Sequence, residues 1–167
     1  MKEKLDYRLI ASDLDGTLLK DDKSVAQETY EAIQRYMAAG GKFCICTGRM
    51  LPSVEKIAAE LGVKGIATSY AGALVSDLST GDILYENSLS AKDAAEIAEF
   101  VEKDGVHLQF YTGRTYYANR DDETLARYES SCRVKAIPVL DKPLSALIRK
   151  KNEKVNKLLI IVEDLDK

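Results

Sequence analysis

Short apolar segments alternate with amphipathic segments through the first part of the chain, and this alternation constrains the fold more than any other feature. Apolar runs at 7–12, 42–46 and 65–69 have the length and composition of strands buried on both faces of a parallel sheet. Between them, 24–41 and 47–62 carry apolar residues at helical spacing. The order βαβαβ predicts right-handed crossovers and an α/β fold with helices on the faces of the sheet.

Terminal signals support both predicted helices. In the first, Ser24 and Gln27 have the spacing of a capping box, and the glycine pair that begins at Gly40 ends the helix. In the second, Pro52 suits the first turn and Gly62 ends the helix. We therefore expect both segments to be helical.

After Ala71 the pattern changes to mixed strands and helices with short connections. We expect a first domain over 1–85 and a second, α+β module over 86–167. The elements predicted for this part are a hairpin at 73–87, a helix at 90–104, two strands around the turn at 112–113, a charged helix at 121–130, a solvated basic turn at 148–154 and a strand within 155–164.

Composition excludes several classes of function. The net charge of −3 and the sequence pI of about 5.3 give no basic excess for nucleic acid or an anionic membrane. No apolar run approaches the ~18 residues of a membrane span, and the start of the chain does not resemble a signal peptide. We therefore expect a cytoplasmic protein with neither nucleic acid nor a membrane as partner.

The cysteines and the single histidine offer little chemistry. Cys44 and Cys46 lie on one face of a predicted strand, and C-x-C without a second cluster indicates small buried side chains rather than zinc ligands. His107 is expected to be a strand residue. No Ser/His/Asp or Cys/His nucleophile system is therefore expected.

Acidic and polar residues stand where the first two predicted strands end. Asp13 and Asp15 follow the first strand, and Thr47, Gly48 and Arg49 follow the second. Ligands of open parallel sheets bind beyond the carboxyl ends of the strands, so these groups should converge. Two adjacent carboxylates repel each other unless a cation lies beside them, and Mg²⁺ prefers oxygen ligands of this kind.

A phosphate ester in the same place gives each group a role. One carboxylate attacks phosphorus as a nucleophile while the other protonates the leaving oxygen. The hydroxyl of Thr47 and the backbone amides around Gly16 and Gly48 bind the phosphoryl oxygens. Arg49 is either a further phosphate contact or a structural partner of an acid.

The segments "DLDGTLL" and "CTGR" resemble the first and second motifs of haloacid dehalogenase-type phosphohydrolases. The "TGR" form and the module after the third strand are similar to the Cof-type branch, which carries a large cap at that point. The resemblance implies that Asp13 is the phosphoaspartyl nucleophile and a Mg²⁺ ligand. It implies that Asp15 is the acid/base whose main-chain carbonyl also binds the metal, and that Thr47 binds phosphate. The implied substrate is a small phosphorylated metabolite.

The sequence departs from the Cof-type pattern in two ways. Ala71 stands where the family usually has the asparagine of Asn-Gly-Ala. The later lysine and the "GD…ND"-like acidic motif are not found, and Lys157 precedes an apparent cap strand rather than matching that lysine. We therefore expect a C-terminally truncated chain that stops inside the cap, with little activity of its own.

Several alternatives stay open on the sequence alone. One is a non-catalytic fragment with at most a binding function, and another is a receiver-type domain phosphorylated on aspartate. An EF-hand is disfavoured, because Gly16 and Ser24 do not match the glycine and glutamate positions of its loop. In the second module, Arg114 is a candidate substrate contact. An uncovered edge of the parallel sheet would favour self-association.

Overall fold

The computed structural model of the chain describes residues 5–162 and divides it into two compact units between Glu86 and Asn87. Both units are built from strands and helices, and the first contains parallel strands joined by helices. The α/β fold predicted from the alternation of segments is therefore confirmed. Within the described part of the chain, no helix is both long enough and apolar enough to cross a membrane.

The first unit contains one five-stranded sheet with the strand order β1-β2-β3-β4-β5. Strands β1 to β3 are parallel, whereas β4 and β5 form the predicted antiparallel hairpin. The elements are β1 (Leu9–Ser12), α1 (Gln27–Ala38), β2 (Lys42–Cys46), α2 (Leu51–Glu60), β3 (Ile66–Ser69), β4 (Leu74–Asp77) and β5 (Ile83–Glu86).

Helices α1 and α2 pack with the sheet to form the core of this unit. Phe43 and Ile45 of β2 share a buried cluster with Ile33 of α1 and with Val54 and Ile57 of α2. Each such side chain contributes about 1.5–3 kcal/mol when it is fully buried. This packing holds the ends of the parallel strands in fixed positions.

Strand β1 is not buried on both faces as its apolar composition predicted. Leu9 is 57% exposed and Ile10 is 38% exposed. Among residues 5–162, β1 has a strand neighbour on one side only, because it lies at the edge of the sheet. Its other edge and part of its apolar surface are therefore open to solvent.

The capping box predicted at the start of α1 is also wrong. Helix α1 begins at Gln27 after Ala26, and no side chain caps it. Instead, both the backbone N–H and the hydroxyl of Ser24 donate to Oδ1 of Asp22, at 2.9 and 2.6 Å. This short-range Asx-type contact competes with helix capping and closes the turn before the helix.

Over residues 87–162, the second unit contains a four-stranded sheet with the order β8-β7-β6-β9 and three helices. Its hairpin of β6 and β7 turns at Gly113, as predicted. The predicted strand within 155–164 is β9, and positions 163 and 164 lie outside the described residues. The elements are α3 (Ala91–Glu102), β6 (His107–Thr112), β7 (Thr115–Ala118), α4 (Glu123–Cys132), β8 (Ile137–Pro138), α5 (Leu144–Lys151) and β9 (Lys157–Ile161).

Helix α5 occupies most of the segment that was predicted to be a solvated basic turn. Leu144 and Ile148 are spaced by one helical turn and are almost completely buried with α3 residues. At the start of α5, Glu102 accepts hydrogen bonds from the backbone N–H groups of Leu144 and Ser145 and from the Ser145 hydroxyl. Burial and this cap stabilise a helix despite its charged last turn.

The two faces of strand β6 carry different chemistry. Leu108 and Phe110 pack with the apolar residues of α3 and α5. On the opposite face, the Tyr111 hydroxyl donates a 2.6 Å hydrogen bond to Gln109, and its oxygen lies 2.7 Å from the hydroxyl oxygen of Tyr128 in α4. His107, which was expected to be a strand residue, begins this buried polar row in β6.

Candidate active site

Strands β1 and β2 deliver the two predicted motifs to the same edge of the sheet. Ser12 of β1 lies beside Ile45 of β2 in parallel register. Asp13 therefore follows the last paired residue of β1, and Thr47 follows the end of β2. The backbone N–H of Thr47 donates to the carbonyl of Thr68 at 3.2 Å, which ties this position to β3 as well.

A tight turn after β1 leaves the Asp13 side chain exposed. Oδ1 of Asp13 accepts a 2.7 Å hydrogen bond from the N–H of Leu14. Leu14 itself is fully buried, and its carbonyl accepts hydrogen bonds from the N–H groups of Thr17, Leu18 and Leu19 at 3.3, 3.0 and 2.8 Å. The core thus anchors the turn through Leu14. Gly16 follows with a φ of +76°, a conformation that glycine adopts without steric cost.

Asp15 joins the turn after β1 to the turn after β2. Nε of Arg49 donates to Oδ2 of Asp15 at 2.7 Å, and Nη2 donates to Oδ1 at 2.8 Å, in the bidentate geometry that arginine prefers. Arg49 is only 8% exposed, and its Nη1 lies 3.3 Å from Oγ of Ser53 in α2. Nζ of Lys23 lies 3.0 Å from Oδ1 of the same carboxylate.

These contacts decide the charge of Asp15. The Arg49 hydrogen bond lowers the pKa of this carboxyl group, partial burial opposes the shift, and the Lys23 hydrogen bond adds to it, so that the pKa falls from 3.8 to about 2. Asp15 is therefore ionised at neutral pH. The positive charges beside its carboxylate belong to Arg49 and Lys23, whereas the sequence suggested Mg²⁺ as the counter-charge of the acidic pair.

The turns after β2 and β3 are tied to each other through their backbones. Ala71 donates its N–H to the carbonyl of Thr47 at 3.0 Å, and Tyr70 donates to the carbonyl of Arg49 at 2.9 Å. Tyr70 and Ala71 have φ values of 52° and 56°, which non-glycine residues rarely adopt. The hydroxyl oxygen of Thr47 accepts the N–H of Arg49 at 3.3 Å. Three strand ends are thus held together around Thr47.

The oxygen donors at this edge suit a hard divalent cation. Asp13 offers an exposed carboxylate, and Asp15 has a main-chain carbonyl two residues further along. Mg²⁺ often takes only one or two protein ligands and fills its other positions with water and substrate phosphate. The carboxylate of Asp15 is already engaged by two cations. Among residues 5–162, no group of three or more histidine, cysteine or acidic side chains is placed to hold a metal.

The structure separates the other predicted residues into two groups. Gly16 and Gly48 are exposed in the two turns that carry Asp13 and Thr47. Arg114 lies in the second unit, exposed at the turn between β6 and β7. Lys157 also lies in the second unit, in β9, with Nζ 5.4 Å from the centre of the Tyr111 ring, and burial lowers the pKa of its amine.

Sequence analysis missed Lys23 and Ser53. Lys23 stands in "KDDKS", a charged stretch with the composition of an ordinary solvated loop, so no local signal connected it with Asp15. Ser53 follows Pro52 in the first turn of α2, four residues after Arg49. That spacing is the only signal in the sequence for their contact.

Comparison with known proteins agrees with the motifs. The model of the haloacid dehalogenase-like hydrolase family matches residues 10–167. The 5-amino-6-(5-phospho-D-ribitylamino)uracil phosphatase YwtE of Bacillus subtilis is 31% identical over 130 residues, which are 77% of this chain and 41% of that protein. The chain spans about half the length of the curated relatives that it matches.

Solved structures show the same likeness. The crystal structure of TM0651 from Thermotoga maritima is 25% identical, with a TM-score of 0.74 over 93% of this chain and 57% of that one. A structure described as the HAD subclass IIB sugar phosphatase BT4131 has a TM-score of 0.71 at 20% identity, over 89% of this chain and 56% of that one. At that identity the second likeness concerns the fold alone.

Proposed function

Because the chain belongs to the haloacid dehalogenase-like hydrolases, we propose that it carries the nucleophile and phosphate-binding residues of a Mg²⁺-dependent phosphatase of the Cof-type branch. One observation carries the proposal. The Asp15–Arg49 ion pair connects the turn that bears Asp13 with the turn that bears Thr47, so a nucleophile and a hydroxyl donor share one edge of the sheet. This arrangement supports phosphoryl transfer, which depends mainly on positioning and charge.

In the first step, a carboxylate oxygen of Asp13 attacks phosphorus. The bond from phosphorus to the ester oxygen breaks and the phosphoryl group is transferred to Asp13. The Asp15 carboxyl group is ionised in the unliganded chain, so it takes up a proton from solvent when the substrate binds and then donates this proton to the leaving alcohol. In the second step, Asp15 takes a proton from water as the water oxygen attacks the phosphorus of the aspartyl phosphate. Inorganic phosphate leaves, and the Asp13 carboxylate is restored.

Other groups bind the phosphoryl oxygens. The hydroxyl of Thr47 and the backbone N–H groups near Gly16 and Gly48 are the proposed donors, since both glycines lie exposed in the two turns. The Asp13 carboxylate and the Asp15 carbonyl would hold Mg²⁺, which supplies positive charge to the phosphate oxygens when it is bound. We propose that Arg49 orients Asp15 and does not contact the phosphate directly, because its guanidinium group already pairs with the Asp15 carboxylate.

We further propose a small phosphorylated metabolite as the substrate. Relatives include YwtE, whose name specifies a phosphorylated ribitylaminouracil. Residues 1–85 would form part of the phosphatase core, and residues 86–167 part of a cap in which Arg114 contacts the substrate. The cytoplasm is the proposed location, because the substrate class is metabolic.

A binding function without turnover is the second candidate. It concerns these 167 residues, in which the compensating lysine and the second acidic motif that the resemblance implies are not found. The exposed apolar residues of β1 also support self-association through the open edge of the sheet. The family match favours both of these over a receiver-type domain.

A burst-phase assay tests the phosphatase proposal. The purified chain is mixed with excess aryl phosphate, with Mg²⁺ or with EDTA, while phenolate release and the mass of the protein are followed. We expect Mg²⁺-dependent addition of one phosphoryl group at Asp13, which is absent in Asp13→Asn because an amide does not attack phosphorus. Asp21→Asn, which changes an exposed acid in the adjacent loop, is the matched control.

Steady-state turnover by these 167 residues should be slow. Loss of one electrostatic element of an active site typically costs ~10²–10³-fold in rate, and two are not found in the sequence. Equal phenolate release by Asp13→Asn and the unaltered chain would refute the assigned nucleophile. Phosphate binding without any transfer to Asp13 would favour the binding function.

A further inference from the structure

Two cationic side chains lie beside the carboxylate of Asp15. Arg49 alone donates to both carboxylate oxygens, which completes a bidentate pair. Lys23 adds a second cation 3.0 Å from Oδ1. The Asp15 carboxylate is thus paired with two cationic side chains, on the same turn as the exposed carboxylate of Asp13.

Of the two cations beside Asp15, Lys23 is the more exposed to solvent. Its side chain is 33% exposed, compared with 8% for Arg49. An ammonium group on a flexible stem reorients its three donors easily, whereas the Arg49 guanidinium is fixed by Asp15 and lies against Ser53. A ligand that arrives from solvent therefore competes for Lys23 more readily than for Arg49.

The backbone of Lys23 is strained. Its φ is +62°, in the left-handed region, which costs a non-glycine residue roughly 1–2 kcal/mol. Two hydrogen bonds hold the turn, from Lys23 N–H to the Lys20 carbonyl and from Lys20 N–H to the Ser24 carbonyl, both at 2.9 Å. Observed strain of this kind is concentrated at functional sites.

From these observations we infer that Lys23 binds the phosphate group of the substrate, an inference that rests on the proposed phosphatase function. Its ammonium group exchanges Oδ1 of Asp15 for a phosphate oxygen, while Arg49 keeps Asp15 in place. A phosphate monoester carries nearly two negative charges at neutral pH and a carboxylate carries one. At equal distance the phosphate therefore attracts the ammonium group more strongly, which drives the exchange.

Inorganic phosphate is the probe for this inference. Its dissociation constant is measured by ³¹P NMR titration of the full chain at low and at high ionic strength. We expect Lys23→Gln to bind phosphate roughly fivefold to tenfold more weakly at low salt, between the effects of losing an exposed ion pair and of losing a hydrogen bond to a charged group, and Lys23→Arg to retain most of the affinity. The deficit of Lys23→Gln should shrink at high salt because the contact is partly exposed.

Two further variants separate this inference from the proposed function. Lys20→Gln removes the same charge from an exposed position in the same loop and should leave phosphate affinity unchanged. Thr47→Val removes the proposed hydroxyl donor. If Thr47→Val loses affinity while Lys23→Gln binds like the unaltered chain, Lys23 has no binding role and the phosphate site stands.

Other outcomes are equally informative. If Lys20→Gln and Lys23→Gln weaken binding equally, a general field effect replaces the specific contact and the inference fails. If the unaltered chain binds no phosphate, the proposed function fails and this inference fails with it. Urea unfolding of each variant checks that the measured affinity belongs to folded protein.

Discussion

The ion pair between Asp15 and Arg49 should stabilise the first unit in a pH-dependent way. The depression of the Asp15 pKa from 3.8 to about 2 is about 1.8 pKa units. At about 1.36 kcal/mol per unit, this net shift, to which Lys23 and partial burial also contribute, corresponds to about 2.4 kcal/mol. Because 42% of the Asp15 side chain is exposed, solvent screens the interaction. We therefore expect a coupling free energy of about 1 kcal/mol.

A double-mutant cycle of Asp15→Asn, Arg49→Gln and the double variant isolates this coupling. The free energy of unfolding is measured by urea titration followed by circular dichroism. A carboxyl group with a lowered pKa in the folded state contributes stability above its unfolded pKa and loses it as the pH falls through the folded pKa. The coupling should be full at neutral pH and should disappear between pH 3.8 and about 2.

Asp21→Asn, in the exposed loop nearby, should change the free energy of unfolding by less than about 0.5 kcal/mol. A coupling that is the same at neutral pH and at about pH 2 would refute the electrostatic explanation. A coupling indistinguishable from zero at neutral pH would show that the ion pair does not connect the two turns energetically. An NMR titration of the Asp15 carboxyl group gives an independent measurement of the same shift.

Three further predictions concern the rest of the structure. Ala71→Asn should raise the free energy of unfolding by about 0.5–1 kcal/mol in urea titrations, since asparagine tolerates the φ of 56° better than alanine; a decrease would contradict this reading of the turn. Glu102→Ala should lower the free energy of unfolding by about 1–2 kcal/mol, because the side chain of Glu102 caps α5. Glu96→Ala, which changes an exposed residue of α3, the helix that also contains Glu102, should change this free energy little. Leu9→Lys should weaken any concentration-dependent self-association that is measured by sedimentation. If the variant self-associates as strongly as the unaltered chain, the edge of β1 is not the contact between the copies.

Much of the first unit followed from local sequence pattern. Continuous apolar runs separated by amphipathic helices imply parallel strands, and parallel strands end at one edge of a sheet. The positions of Asp13 and Thr47 beyond β1 and β2 could therefore be predicted without coordinates. The "DLDGTLL" and "CTGR" segments also identified the haloacid dehalogenase-like family, which the family comparison confirms.

Features that depend on distant partners could not be predicted in this way. The basic segment at 148–154 resembled a solvated turn, because its burial against α3 and the cap from Glu102 come from residues more than 40 positions away. The burial of β1 was overestimated for a related reason. An apolar run indicates that burial of the strand is favourable. The number of neighbouring strands, however, depends on the topology of the sheet.

The sequence by itself determined which residues stand at the ends of the parallel strands, because strand direction follows from the order of elements. Only the tertiary structure decided which charges meet there. Arg49 pairs with Asp15 across 34 positions, and Lys23 reaches the same carboxylate from a turn with a left-handed residue. Local pattern specifies neither the path of a loop nor a side-chain rotamer, and a contact of 3 Å depends on both.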